Sequence, residues 1–401
     1  MSINKYFPFA FVYFFLNSVG LPFGLTWMAL LAPLFYIWVL LERKKEILFP
    51  FLALLFPFIL LHILVTGVEM GTYAFSLVNI LLVYVFCQAA YTFFKKCEDP
   101  EPIFRKLLVL NFIFCLVGIV FYFTPWDHVF WIRQDFTSGV SDFRRFKLFT
   151  YEASYYATLF VPIFFFYLLQ YIFNQNKIRS GWLLLMIFLP FVLSFSFGVI
   201  ASTILAGIIA TIIHPSQLLG KRRTVNAFVY LGVLTSSFLF ILVFYFRHNP
   251  LFTRILNIFS GSDTSAKGRT GDAFFLARKM LEQKNEWWGI GVGQVKLVGH
   301  DIVSGYYLYN MDFVATIPNA MAETLAIFGW VGFWIKLLVE LAFFYYTKVW
   351  TNYYRLLLFL FIFIYQFTGS FITNMAEYVI WILAFTNVFK AFDVPLKERR
   401  E

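Results

Sequence analysis

Lys267-Gly268-Arg269-Thr270-Gly271-Asp272-Ala273-Phe274-Phe275-Leu276-Ala277-Arg278-Lys279-Met280-Leu281-Glu282-Gln283-Lys284-Asn285 reads as a polar turn leading into an amphipathic helix. It lies in Asn249–Pro318, the only long polar segment of the chain, and is followed by Trp287-Trp288 and Gly289-Ile290-Gly291-Val292-Gly293-Gln294. Nearly everything else is apolar enough to sit in lipid: 61% of the 401 residues are hydrophobic and 13% charged. A water-soluble fold of this length needs more polar surface than that. The chain therefore reads as an all-α polytopic membrane protein, because only helices satisfy their own backbone groups in a bilayer. Long apolar runs in place of short alternating segments exclude a β-barrel.

About twelve spans fit the pattern, at 6–24, 26–41, 47–66, 74–94, 107–124, 155–173, 181–196, 199–213, 227–246, 319–346, 355–373 and 377–392. The first has no small-residue cleavage pattern after it and is read as a span, not a signal peptide. The basic loop Glu42-Arg43-Lys44-Lys45-Glu46 is expected in the cytoplasm, which fixes the parity of the rest and puts both termini there. On that topology 19 of the 32 Lys and Arg residues lie inside. Residues 1–401 form one transmembrane domain carrying two larger outer loops, 125–154 and 247–318, and twelve of the remaining 13 basic residues fall in those loops. A long loop crosses regardless of its charge, but the first is only about 30 residues and still holds Arg133, Arg144, Arg145 and Lys147. Something there calls for positive charge outside. The net charge of +10 is otherwise topology-setting and implies no nucleic acid.

Arg144-Arg145-Phe146-Lys147 precedes Tyr151-Glu152 at the entrance to a span. An arginine fork binds phosphate oxygens at two points, so the cluster suits a pyrophosphate whose lipid tail lies in the bilayer. The alternative is a structural network with Asp135 and Asp142, or contacts with lipid headgroups. Glu152 is either a helix cap or arginine partner, or a base accepting a proton from an attacking hydroxyl. Lys267, Gly268 and Arg269 lie in a flexible segment ending at a helix start, where backbone N–H groups add to an anion site. Gly289–Gly293 has no preceding strand and reads as a tight turn beneath the loop helix, not a dinucleotide loop. The five histidines lack metal-ligand spacing, with His128 and His300 as outer-side alternatives for a base. Lys336 and Glu340 read as an intrahelical pair snorkelling to the inner interface. Cys87, Cys97 and Cys115 imply no disulfide.

These motifs resemble the O-antigen polymerase and O-antigen ligase superfamily, which acts on glycans carried by undecaprenyl pyrophosphate. Arg145 lies seven residues before Glu152, as in that family's Arg-x-x-Gly-x-x-x-Glu-Pro pattern, with Leu148 and Ala153 standing where Gly and Pro are usual. Leu193-Ser194-Phe195-Ser196-Phe197-Gly198 is similar to its Thr-x-Ser-Arg-Gly span motif, with Phe197 for Arg. Gly268-Arg269 followed by a helix and Gly289–Gly293 resembles its outer-loop signature. Pro318-Asn319 with Gly329 and Gly332 matches the spacing of the ligase His-Asn…Gly-x-x-Gly motif, but Pro318 replaces the catalytic His and moves the weight to a polymerase.

The resemblance implies a GT-C-type glycosyltransferase fold in a bacterial inner membrane, with a periplasmic active site. Its substrates would be an undecaprenyl-pyrophosphate-linked oligosaccharide as both donor and acceptor, met in membrane lipid, with a chain-length regulator as possible partner protein. Arg145 and Arg269 would stabilise the leaving pyrophosphate, such donors being worth about 3–4 kcal/mol each. Arg144, Lys147, Lys267 and Arg278 would be secondary contacts, with Glu152 as base and Glu323 as second candidate. No metal or other cofactor is needed if the arginines neutralise the leaving group. The rival classes are a ligase using His300 and a flippase or transporter of lipid-linked glycan. A transporter calls for discontinuous spans with ionisable residues near mid-membrane, and none is read from the sequence.

Overall fold

The structure, a computed structural model, describes residues 6–19, 21, 26–43, 46–136, 140–175, 178–215, 225, 264–307 and 313–395. They are mostly helical, and five helical runs are by length and composition apolar enough to cross a membrane: Leu48–Thr66, Met70–Lys96, Glu101–Phe121, Ala153–Ile172 and Ala320–Thr351, the last of them interrupted at Gly329. Shorter apolar helices run over Phe7–Leu16, Ser180–Leu193, Phe197–Ile213, Tyr353–Tyr365 and Met375–Phe385. Helices of that size reach roughly 15–25 Å at 1.5 Å per residue, short of a hydrocarbon layer about 30 Å thick. The expected span 26–41 is divided between Trp27–Leu30 and Ala32–Arg43. The expected span 227–246 lies outside the described residues.

Ala153–Ile172 is the central helix, and of its 20 residues all but Leu168 are buried. Such a helix, apolar on all sides, is stable only when surrounded by others. Here Ser180–Leu193, Phe197–Ile213, Tyr353–Tyr365 and Met375–Phe385 pack against it. Tyr156, Phe160, Phe165 and Phe166 fill that core with rings at most 2% exposed.

The expected first outer loop, 125–154, is not irregular, as an all-helical reading expects, but holds an antiparallel hairpin of β1 (Trp131–Phe136) and β2 (Val140–Phe146). Trp131 pairs with Phe146, Ile132 with Arg145 and Arg133 with Arg144. Aromatic pairs fix this register: Trp131 and Phe146 ring centres lie 5.4 Å apart, and Phe146 meets Tyr156 of the central helix at 5.3 Å. Trp131 donates its Nε1–H to the Gly118 carbonyl at 2.7 Å.

The expected single span over 319–346 is also corrected. Ala320–Tyr346 is broken at Gly329, whose φ of 65° and ψ of −168° belong to neither helix nor strand. The Gly289–Gly293 turn enters the break. Ile290 and Gly291 donate their amides to the Ala326 and Ile327 carbonyls at 2.9 and 3.1 Å. Trp330 and Val331 donate theirs to the Glu286 and Trp287 carbonyls, both at 3.1 Å. Four backbone groups that an interrupted helix would leave unpaired are thus satisfied, the condition for irregular backbone inside a membrane protein. The break folds the chain back sharply. Met321 donates to the Gln366 carbonyl, and the Gln366 side chain reaches Glu340 at 2.7 Å. A straight helix would hold Met321 and Glu340 roughly 28 Å apart.

His62 secures the turn from the other side. Its Nε2–H donates to the Trp288 carbonyl at 2.8 Å, leaving Nδ1 to accept from the Tyr73 hydroxyl at 3.1 Å. The glycine turn is tight, as expected, but it lies against the broken helix and the 62–76 region, not only beneath the loop helix.

Candidate functional site

The amphipathic helix forms over Gly271–Glu282 and buries Ala273, Leu276, Ala277, Met280 and Leu281 at three- and four-residue spacing. Lys267, Gly268 and Arg269 are not a flexible turn, because Thr264–Arg269 is itself a short helix. Asp272 fixes the junction by accepting hydrogen bonds from the Tyr306 and Tyr307 hydroxyls at 3.0 and 3.2 Å. That carboxylate holds the Tyr306 phenol above its ordinary pKa.

Asn319 then sets the position of Arg269. It is fully buried and donates Nδ2–H bonds to the Arg269 carbonyl at 2.8 Å and the Phe367 carbonyl at 2.6 Å. Its Oδ1 caps the following helix at the Ala322 amide. With the Arg269 backbone held, its Nη2 lies 3.4 Å from Oε1 of Glu152, 117 residues earlier in the chain. Glu152 is the residue before the central helix but makes no side-chain cap there. Of its two structural readings, cap and arginine partner, only the second holds.

Glu152 and Arg269 line a small, partly open cavity with Tyr151, Tyr155, Pro318, Tyr365, Ser370 and Asn374. Tyr151 precedes Glu152 on the lining, with about half of its own surface exposed. Both charged side chains remain about a quarter exposed. A partly exposed ion pair as long as 3.4 Å is worth little, about 0–1 kcal/mol, and is easily exchanged for another partner. Nothing in the sequence pattern marks Tyr151, Tyr155, Tyr365, Ser370 or Asn374 as lining residues. They are ordinary span and loop residues until the helices pack.

The other expected site residues are placed elsewhere. Arg145 is 3% exposed, and its Nε donates to the Ser194 carbonyl at 3.1 Å. It does not line the cavity, but it joins β2 to the Ser194-Phe195-Ser196 segment between two helices. Arg144 donates to the Tyr122 carbonyl at 2.9 Å and lies 2.9 Å from the Asp127 carboxylate, with Arg133 at 3.4 Å. The side chains of Asp135 and Asp142 lie outside the described residues, and the structural network for Arg144 centres on Asp127. Lys267 and Arg278 are exposed, away from the lining. Glu323 accepts the Ile372 amide at 2.8 Å and is likewise not a lining residue. His300 is stacked on Phe313 beside Asp301, and His128 is exposed.

Leu148 is fully buried with a φ of 54°. The position where the resemblance has glycine thus does adopt the left-handed conformation that glycine favours.

Lys147 is half-buried, and desolvation pushes its ammonium below its ordinary pKa. With the folded pKa below the unfolded one, its charge opposes folding at neutral pH. That penalty vanishes only as the pH rises above the unfolded value. Lys147→Met is therefore expected to raise the melting temperature in detergent at pH 7 by a few degrees, with the gain gone by about pH 11. A melt that falls at pH 7 would mean that an anionic partner keeps the charge favourable.

Lys336 and Glu340 are not a snorkelling pair. Glu340 is 6% exposed, and Lys336 lies 3.9 Å from both Glu340 and the 3%-exposed Glu377 of another helix. Broken helix and buried ionisable groups are thus both present, where the sequence reading found neither.

No family model matches this chain, and no curated protein matches it.

Proposed function

We propose that the protein is a glycosyltransferase that joins undecaprenyl-pyrophosphate-linked oligosaccharide units at the outer face of a bacterial inner membrane, as a polysaccharide polymerase does. The observation that carries this reading is the meeting of Glu152 and Arg269, a carboxylate and a phosphate-binding cation, in one cavity between membrane helices. Further support comes from the left-handed backbone at Leu148, the Arg145–Ser194 contact, and the hold of Asn319 on Arg269.

The donor pyrophosphate takes Arg269 from Glu152, charge-assisted binding to phosphate being stronger than the long resting pair. Glu152 is then free to accept the proton of the acceptor hydroxyl. The hydroxyl oxygen forms a bond to the anomeric carbon as the bond from that carbon to the pyrophosphate oxygen breaks. The leaving pyrophosphate keeps the electron pair and is stabilised by Arg269. Arg145 acts as a positioning residue, tying the hairpin to the Ser194 segment, while Lys147 adds positive potential nearby. A GT-C-type fold, twelve spans and cytoplasmic termini belong to the same proposal.

The test uses purified protein with a synthetic undecaprenyl-pyrophosphate oligosaccharide. A ladder of longer glycans is the expected product. Extension only on a different acceptor would favour a ligase. A second reading, transport of lipid-linked glycan, is favoured by the break at Gly329 and by the buried Glu340 and Glu377 beside the partly exposed Lys336. It predicts lipid movement across liposome membranes with no new glycosidic bond.

A further inference from the structure

The polar groups behind the cavity form a second constellation, which the transfer reaction does not use. Ser370 and Asn374, on the cavity wall, are linked by an Asn374 Nδ2 to Ser370 Oγ hydrogen bond of 2.9 Å, and Ser370 donates to Glu377. Lys336 stands 3.9 Å from Glu377 and 3.9 Å from Glu340. That exceeds hydrogen-bond length, so one ammonium is shared loosely between two carboxylates. Glu323 comes from the first half of the broken helix, and Tyr378 lies within electrostatic reach of Glu323, Glu340 and Glu377 together. Two carboxylates, Glu340 and Glu377, face one ammonium and leave a formal charge of −1, with Glu323 held on the Ile372 amide beyond them. Such an imbalance inside membrane helices is costly unless it is neutralised.

An independent feature points to what neutralises it. Gln366 is fully buried; its Nε2 donates to Glu340, which aims the amide head into this cluster, and its Oε1 has no hydrogen-bond partner. A buried amide oxygen without a donor is costly and conspicuous in a packed core. Beside carboxylates in excess it accepts from a protonated acid or ligates a small cation.

We propose that Glu340, Gln366 and Glu377, with Glu323 and Lys336 around them, form a binding site for a monovalent cation, a proton or Na⁺, reached from the cavity past Asn374 and Ser370. The site stands without the transfer reaction and would serve an enzyme or a transporter alike. The groups that face it are Glu323, Lys336 and Glu340 from the two halves of the broken helix, Gln366, and Glu377 and Tyr378 from Met375–Phe385. Cys87 of Met70–Lys96 acts on Tyr378, and Glu152 with Arg269 stands at the cavity.

The test is a melting titration of full-length protein in lipid nanodiscs between pH 6 and 9, in choline chloride and in NaCl at equal ionic strength. If Na⁺ is bound, NaCl raises the melting temperature at pH 9 by several degrees over choline and a soluble dye reports released protons. If the ligand is a proton, the melting temperature falls between pH 6 and 9 equally in both salts. Under either arm the Glu340→Gln/Glu377→Gln double variant, confirmed folded by gel filtration, loses the dependence, while Glu282→Gln on the exposed loop helix keeps it. A wild-type melt indifferent to both pH and Na⁺, or a double variant that responds as wild type does, overturns the site. A double variant that does not fold is replaced by Gln366→Leu. This variant removes the oxygen but no charge, so it must weaken the Na⁺ response or shift the midpoint of the pH response, and a folded variant that does neither overturns the proposal.

Discussion

Gly329→Ala is expected to destabilise the protein by roughly 4–6 kcal/mol, from a backbone conformation open to almost no residue but glycine and the loss of buried backbone hydrogen bonds. A Cβ on Gly329 would meet the Trp287 carbonyl oxygen at 2.3 Å and the Gly289 amide nitrogen at 2.6 Å. Neither is the end of a flexible side chain, so the turn must leave the break, exposing the four backbone groups it satisfies. The partner substitution Gly289→Ala puts a Cβ 2.2 Å from the Ile327 oxygen and breaks the same contact. The double variant should therefore lose much less than the sum of the two, since the contact can be lost only once. Gly207→Ala is the control. Nothing lies within 4 Å of its added Cβ, and in mid-helix the change should stabilise by about 0.5–1 kcal/mol. Melting of the four proteins in detergent decides the matter by sign: were 320–346 one continuous helix, Gly329→Ala would stabilise as Gly207→Ala does.

That break also marks where sequence patterning stops being informative. An isolated glycine within an apolar run is tolerated in helices and frequent in spans, so Gly329 carries no local signal of a break. Its meaning lies in Gly289, forty positions earlier, with which it shares a contact that only the folded chain creates. The same is true of Lys336 and Glu340. Four residues apart on one helix, they satisfy the rule for an intrahelical pair, and only the packing of Met375–Phe385 brings Glu377 equally close. By contrast, the long apolar runs and the Gly271–Glu282 helix were legible, because burial against lipid or a core imposes a period on the residues themselves. Arg144 and Arg145 show the limit for charge. A cluster of arginines in a short outer loop announces positive potential, but not whether each fork faces a ligand, a carboxylate such as Asp127 or a carbonyl such as that of Ser194. Glu152 and Arg269 were legible as candidates, since each sits at a helix boundary beside a cationic run, while their pairing rests on Asn319. The sequence marked that residue by spacing and gave it no task.

Arg269→Ala should reduce glycan transfer by about 10²–10³, the usual loss when one preorganised donor to a developing oxyanion is removed. Arg269→Lys should recover part of this, because an ammonium keeps the charge but not the two-point fork. Glu152→Gln should lower kcat by about 10²–10⁴ as the proton acceptor is lost. If the two residues serve one event, as proposed, Glu152→Gln/Arg269→Ala should be little worse than the poorer single variant. Arg144→Ala separates a site role from a structural one. With its guanidinium on Asp127, it should leave transfer per folded molecule nearly unchanged while lowering the melting temperature, because Asp127 is 6% exposed and would keep only the longer contact to Arg133. The sharpest test of the mechanism is the KM of Glu152→Ala for the lipid-linked donor. On the proposed mechanism Glu152 competes with the pyrophosphate for Arg269, so its removal should lower KM and kcat together. A purely structural role for the pair predicts a raised KM or a failed fold, and unchanged kinetics would place the leaving group at another cation.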